Sequence, residues 1–438
     1  MKVNTRFFDR ALRSGKTARV LRIDPGAVKL LPLFNERATP AEDRLAQTLG
    51  EARLNRGLVP VPPASVRLAQ PKVQQIEGLG PVTCLAERSR HLPGERLLAA
   101  PLHLLRLAAA RLALGELLIN ANHFLFLPPE LTCPWDAYGD PIGLNLAGGV
   151  IETPPQARRA CLLVTTTGPE IRRLGFADCS IKLTDERLVS PHPYGPPDKA
   201  GALTAFALFH GSEDGASPEA SGVWDVAYVG RHAVALKAGG GMPIPRAGCV
   251  IRFASVDEAQ AAQRITYRLG LDIQEGVQAG PVIVENGAPT DIGRDIFAEE
   301  LMRPVPSRPD AVPISPYAWA ANWHETRAAR LSAGITADGA LFFCAVEGTS
   351  SFFRDRAAAS GATLHDLACL MAEEGAETAM HLDGGGSTQV FCAGGGALLT
   401  PRDVHHCLPE SLAQFDRPLP LALRLSSPQA PRPARFAR

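Results

Sequence analysis

The densest concentration of residues able to do chemistry is the run HLDGGGSTQVF at 381–391. An apolar strand leads into Asp383, three glycines follow, then Ser387 and Thr388, then a second strand. Consecutive glycines cost backbone entropy, so they point to unusual dihedrals or to close approach by another group. The amides of Gly384, Gly385 and Gly386 can form an anion-binding nest, and Ser387 and Thr388 add hydroxyl donors. A carboxylate beside such a nest can act as acid, base or nucleophile on a phosphate- or sugar-bearing substrate. The same spacing also fits a glycine-rich hairpin with Asp383 as its turn residue. It is not a P-loop, because no G-x-x-x-x-G-K-[ST] occurs.

The elements that would position this run are mostly strands. Segments 117–126, 160–167, 202–210, 226–230, 249–254, 281–287, 340–348, 377–383 and 388–394 are short, apolar and punctuated by glycine. Thr363 to Glu374 reads as a helix, with Thr363 and Asp366 in capping-box spacing, an apolar stripe of Leu364, Leu367, Ala368 and Met371, and Gly375 to end it. Two further helices are expected, over Ala41 to Arg56 and over Glu95 to Leu118. The fold class is therefore α+β: a mixed, strand-rich domain with few helices over 112–400. Residues 1–111 form an N-terminal extension with a Pro-rich segment at 57–66, and 401–438 a flexible tail.

LDGGGST, preceded by GATLHDLACLMAEEGAETAM at 361–380, resembles the signature of the phosphodiester glycosidase domain family. That family includes a lysosomal uncovering enzyme that removes N-acetylglucosamine from a phosphodiester, and bacterial proteins labelled exopolysaccharide biosynthesis proteins. Supporting segments follow in order: LLINANHF (117–124), GLNLAGGVIETPP (143–155), MPIPRAGCVI (242–251), AGPVIVENG (279–287) and RLSAGITADGALFFCAVEG (330–348). The chain departs from the family pattern at His381, where the family has Asn, at Glu347, where it has Asp, at Leu331, and at Asn120-Ala121-Asn122.

The resemblance implies a hydrolase that cleaves the bond between a sugar's anomeric carbon and a phosphate oxygen, in a glycan or glycoconjugate, with a link to exopolysaccharide metabolism. Phosphate is a good leaving group, so such a site needs a cation for the phosphate, donors for the sugar and a carboxylate at the anomeric centre. Arg330 suits the cation, through bidentate contacts. Asp383 is the candidate base or nucleophile, Glu347 the second carboxylate and His381 an acid–base group. Asn120 and Asn122 would hold sugar hydroxyls or phosphate oxygens, with Gly384, Gly385, Gly386, Ser387 and Thr388 as donors. His123 is a further candidate, and Trp323 and His324 form either a sugar-stacking rim or core. A second reading of the same residues is a carbohydrate- or phosphosugar-binding module without turnover.

Composition bounds these readings. Among 438 residues, Lys+Arg and Asp+Glu are each 45, so no charge excess points to nucleic acid or an anionic membrane. The expected partner is a phosphorylated sugar or glycan. Leu97 to Leu118 is apolar but interrupted by Pro101, Arg106, Arg111 and Glu116, which argues against a membrane span. The N-terminus lacks the apolar stretch of a signal peptide. Nine cysteines are scattered without paired spacing, the pattern of reduced thiols. These features lead to an expected cytoplasmic location. No cofactor is expected, and no ligand cluster indicates a metal; His405 and His406 lack a third ligand.

Overall fold

The computed structural model describes residues 2–32, 105–125, 136, 140–189, 203–206, 215–302, 322–349, 359–401, 417 and 419–427, with the strand backbone at 72–76 and 80–84. Every strand pairing among them is antiparallel.

Two sheets build the part of the molecule that carries Asp383. The relevant strands are β1 (Asn4–Ala11), β2 (Thr17–Asp24), β3 (Ala27–Pro32), β4 (Leu117–Asn120), β5 (Val282–Glu285), β6 (Arg330–Thr336), β7 (Leu341–Val346), β8 (Ala376–His381), β9 (Val390–Cys392), β10 (Gly396–Leu399) and β11 (Leu421–Ser426). The first sheet has the order β1-β2-β7-β6-β8-β5, ending in the two-residue strand Ala288–Pro289. The second has the order β10-β9-β4-β11-β3. Alternation along each strand sends one set of side chains between these sheets. Leu331, Ala333, Met380 and Leu382 of the first sheet, or just beyond it, share one buried cluster with Ile119, Val390, Leu421 and Leu423 of the second.

Helix α1 (Leu364–Glu373) covers the other face of the first sheet, its Leu367, Ala368 and Met371 clustering with Ile283, Phe342 and Ala379. Its ends follow the sequence reading. Thr363 Oγ1 accepts from Asp366 N at 3.0 Å, and Asp366 Oδ2 accepts from Thr363 N at 3.2 Å. Gly375, at φ 94°, takes the left-handed conformation that stops the helix.

A second core lies among the remaining sheets. One contains Arg159–Thr165 and Ile273–Gln278, another contains Trp224–Val229 and Gly248–Phe253, and a smaller one contains Cys179–Lys182 and Thr266–Leu269. Asp225 and Arg252 are buried together there. Arg252 Nε donates to Asp225 Oδ1 at 2.8 Å and Nη2 to Oδ2 at 2.9 Å, and the Ser217 hydroxyl also donates to Asp225.

The strand-rich reading with few helices holds among the described residues, and the expected strands recur with trimmed ends. Two features differ. The segment from Glu95 to Leu118 has its described helix only at Leu105–Ala109, and Leu117 and Leu118 already belong to β4, because Gly115 turns the chain at φ 91°. Strands β1 to β3 and β11 stand inside the two sheets, in residues read from sequence as an extension and a tail. Alternation in β2 buries one of its faces, while β1 is largely exposed at the edge of the sheet. β11 is a short apolar run that pairs β3 on one side and β4 on the other. The expected helix at 41–56 and the Pro-rich segment at 57–66 lie outside the described residues. No described helix is long and apolar enough to cross a membrane. Cys161, Cys179, Cys249, Cys344, Cys369 and Cys392 are free thiols.

Removing one partner of a buried ion pair strands the other charge, at about 3–5 kcal/mol. Asp225→Ala is therefore expected to lower the unfolding free energy by about that much in a denaturant titration. A loss below about 1 kcal/mol would show that Arg252 finds water instead.

Candidate active site

The turn after β8 is closed by the stretch after β4. Asn120 is 1% exposed and spans the turn with its amide. Its Nδ2 donates to Asp383 O at 2.6 Å and its Oδ1 accepts from Gln389 N at 3.1 Å. Asp383 N donates to Ala121 O at 3.1 Å. Within the turn, Gly385 N donates to Ala329 O, Ser387 N to Gly384 O and Thr388 N to Gly385 O. The expected donor roles of Asn120 and of the Gly385 amide therefore need correction. Asn120 is consumed by backbone groups, and so are the amides of Gly385, Ser387 and Thr388, because residues 385–387 tighten into a 3₁₀ turn.

The glycines serve close packing. A Cβ on Gly386 would meet the Arg417 guanidinium at 2.3–2.9 Å, and Arg417 Nη1 donates to Ser387 Oγ at 3.2 Å. A Cβ on Gly384 would stand 3.0 Å from His381 Nε2. Arg417 is a neighbour that sequence reading missed. It lies 31 residues beyond Gly386, in no motif, and only the missing Cβ brings the two together.

Asp383 is paired with His123. His123 Nδ1 and Asp383 Oδ1 are 3.0 Å apart, with the side chains 5% and 17% exposed. Asp383 Oδ2 makes no hydrogen bond among the described residues, so His123 fixes one carboxylate oxygen and leaves the second for a ligand. Asn122, flanked by Ala121 and His123, is buried with Nδ2 and Oδ1 both unpartnered among the described residues.

Arg330 begins β6 and is fully buried. Its Nε donates to Ala362 O at 3.0 Å, and its Nη2 to Trp323 O at 2.8 Å and Thr326 O at 2.7 Å. Nη1 makes no hydrogen bond among the described residues. Burial pushes the guanidinium pKa down to about 10, while the Asp383 carboxylate acts in the opposite sense, so Arg330 remains cationic at neutral pH. Three carbonyls thus fix the plane of a cation that feels Asp383.

His381 ends β8 opposite Ser332. Its ring centroid is 5.9 Å from that of Trp323 and 6.2 Å from that of His123. Burial, aided by Arg330 and His123, holds the imidazole well below its ordinary value. A ring this reluctant to take a proton is neutral at physiological pH, the form in which its unprotonated nitrogen accepts. Trp323 is 7% exposed and belongs to the core under α1 rather than to a stacking rim. His324, half-buried beside it, is also shifted down by burial.

Glu347 follows β7, and its N–H donates to Arg19 O at 2.9 Å, on the β2 side of that strand. The observed contacts bring Asp383, His123, Asn120, His381 and Arg330 into one cluster, and they place Glu347 by this bond to β2. His405 and His406 lie outside the described residues. No group of three His, Cys, Asp or Glu side chains able to hold a metal ion occurs among the described residues.

Two outcomes follow from this geometry. Asn120→Leu would leave Asp383 O and Gln389 N unpaired, at roughly 1–3 kcal/mol each, so thermal unfolding should show a loss of that order; an unchanged melting temperature would contradict the clamp. A His that is neutral when folded stabilises the protein above its unfolded pKa, and this is lost as pH falls. The window opens near 6.5, the ordinary value, and extends to the depressed folded value. The stability advantage of wild type over His381→Asn should shrink across that window, by up to about 1.4 kcal/mol per pH unit in urea titrations. A constant difference from pH 7 to pH 5 would contradict a buried neutral ring.

Comparison with known proteins adds one result on family. Residues 230–420 match the family model described as phosphodiester glycosidase, a span that holds β5 to β10, α1, Arg330, His381, Asp383 and Arg417. No curated protein matches the chain. Among solved structures, a Synechocystis protein is 14% identical with a TM-score of 0.46, covering 96% of this chain, which spans 62% of that protein's length. A Burkholderia pseudomallei protein is 16% identical with a TM-score of 0.45, over 97% of this chain and 96% of its own. The zebrafish N-acetylglucosamine-1-phosphodiester alpha-N-acetylglucosaminidase catalytic domain, auto-inhibited by its pro-peptide, is 12% identical with a TM-score of 0.42, over 97% of this chain and 83% of its own. Structural likeness at this level carries no weight for function. The likeness to the phosphodiester glycosidase family thus rests on residues 230–420, somewhat under half of the chain.

Proposed function

We propose that this protein is a hydrolase that cleaves the glycosidic bond of a sugar-1-phosphodiester. The observation that carries the reading is the Asp383 carboxylate, held through one oxygen by His123 with its other oxygen unengaged, in the electrostatic reach of a buried arginine. Asp383 Oδ2 is the oxygen that meets the anomeric centre or the water attacking it. His123 acts through Asp383 as a positioning residue, because its contact with the carboxylate is what aims Oδ2.

Arg330 Nη1 is the arm that takes the phosphate, its sister nitrogens being committed to the carbonyls of Ala362, Trp323 and Thr326. As the C–O bond breaks, the electron pair stays on the phosphate oxygen, and a fixed cation at that oxygen stabilises the charge without reorganising. A phosphate monoester leaves as an anion, so this route does not require a second carboxylate as acid.

Asp383→Asn keeps the shape and removes the charge. It should lower kcat at least about 100-fold on a methyl phosphodiester of glucose-1-phosphate while leaving Kd for that ligand within a few-fold. Full turnover in the variant would refute the role of Asp383, and binding by wild type without any product would favour a binding module on the same fold. Arg330→Lys, which keeps charge but cannot reach three carbonyls and a phosphate together, should raise KM for the diester at least about 10-fold with little change in affinity for the neutral sugar. Equal weakening of both ligands would assign Arg330 to structure alone.

A further inference from the structure

His381 carries an unanswered acceptor. It is 1% exposed, and its Nδ1 lies 3.4 Å from Gly280 O. A carbonyl can only accept, so the ring proton belongs on Nδ1 and Nε2 presents a lone pair. Nε2 is buried with no hydrogen-bond partner among the described residues. The ring cannot turn away from this arrangement cheaply. Gly280 N donates to His381 O and His381 N to Pro281 O, each at 3.0 Å, while Trp323 and His123 flank the ring. The nearby Arg330 guanidinium opposes a second ring proton.

The residue after Asp383 has no side chain to crowd Nε2. A Cβ at Gly384 would stand 3.0 Å from Nε2, at the distance a hydrogen-bond donor would occupy. Gly384 has φ −116°, a conformation open to any residue, so its lack of a side chain matters through space rather than through the backbone. Asn at position 381 could turn either an oxygen or an NH₂ toward a ligand. The imidazole held on Gly280 offers an acceptor only.

We infer that His381 Nε2 is a specificity-determining acceptor, taking a hydrogen bond from a hydroxyl or amide N–H of the sugar and disfavouring ligands that lack this donor. The inference rests on the sugar-phosphodiester reading above and divides that site: Arg330 Nη1 takes the phosphate and His381 a donor group on the sugar. A ligand without the donor leaves the buried acceptor unpaired, a loss of about 10- to 100-fold in affinity or kcat/KM.

The test uses the full chain and methyl phosphodiesters of glucose-1-phosphate. One set lacks each ring hydroxyl in turn, and a second replaces that hydroxyl by an acetamido group. Wild type should discriminate against one deoxy compound by about 10- to 100-fold, and the acetamido set shows whether N–H can replace O–H there. In His381→Phe, and independently in Gly384→Ala, that ratio should fall below about threefold while the other ratios hold. Gly384→Ala carries the test if His381→Phe fails to fold. No ratio above about threefold in wild type, or a ratio that survives both substitutions, overturns the inference. Calorimetric binding of the same compounds separates the two claims. Discrimination in binding without turnover keeps His381 and removes the hydrolase reading, turnover without discrimination does the reverse, and neither binding nor turnover overturns both.

Discussion

The side-chain amide of Asn120 joins the two sheets at the point where the chemistry is gathered. It belongs to the end of β4 in one sheet, and its two hydrogen bonds reach the first and last peptides of the turn leaving β8 in the other. Because the amide is buried, neither bond has water as a substitute, and the turn has one low-cost arrangement. That arrangement sets where Asp383 lies. Ala121 O then takes the Asp383 amide and His123 its carboxylate, so three of four consecutive residues, Asn120, Ala121 and His123, locate one acid.

The same joint explains the electrostatics. Arg330 stands at the start of β6 and His381 at the end of β8, strands that pair side by side, so a cation and a titratable ring are buried near one carboxylate. The protein resolves this by keeping the guanidinium charged, through three carbonyls and the influence of Asp383, and by keeping the imidazole neutral. One fixed cation facing one carboxylate, with little net charge between them, suits a ligand that is an anion on one side and a polyol on the other. It also fits a chain with no overall charge excess, since the attraction is local.

Much of this was legible in the sequence because it depends on local pattern. The capping box at Thr363 and Asp366, the stop at Gly375, and the strand–Asp–glycine–strand order around Asp383 each follow from residues within a few positions of one another. What was not legible depends on contacts distant in sequence. The glycine run reads as a nest, yet the Gly385 amide is spent on Ala329 O and Gly386 makes room for Arg417. His381 reads as a group that titrates near neutrality, and burial keeps its ring neutral instead. Asn120 and Asn122 look equivalent two residues apart, yet one is fully bonded to backbone and the other has no partner among the described residues. β11 reads as tail because its partners, β3 and β4, lie some 300 to 400 residues earlier.

A double-mutant cycle on kcat/KM reads directly whether Asp383 and His123 act as one unit on a sugar phosphodiester. With glucose-1-phosphate methyl diester as substrate, Asp383→Asn, His123→Gln and the double variant are compared with wild type. If the two residues act together, each single variant loses most of what the double loses, and the double falls within about tenfold of Asp383→Asn alone. If the losses multiply, so that the double variant falls by the product of the singles, the two residues act independently and His123 does not position Asp383.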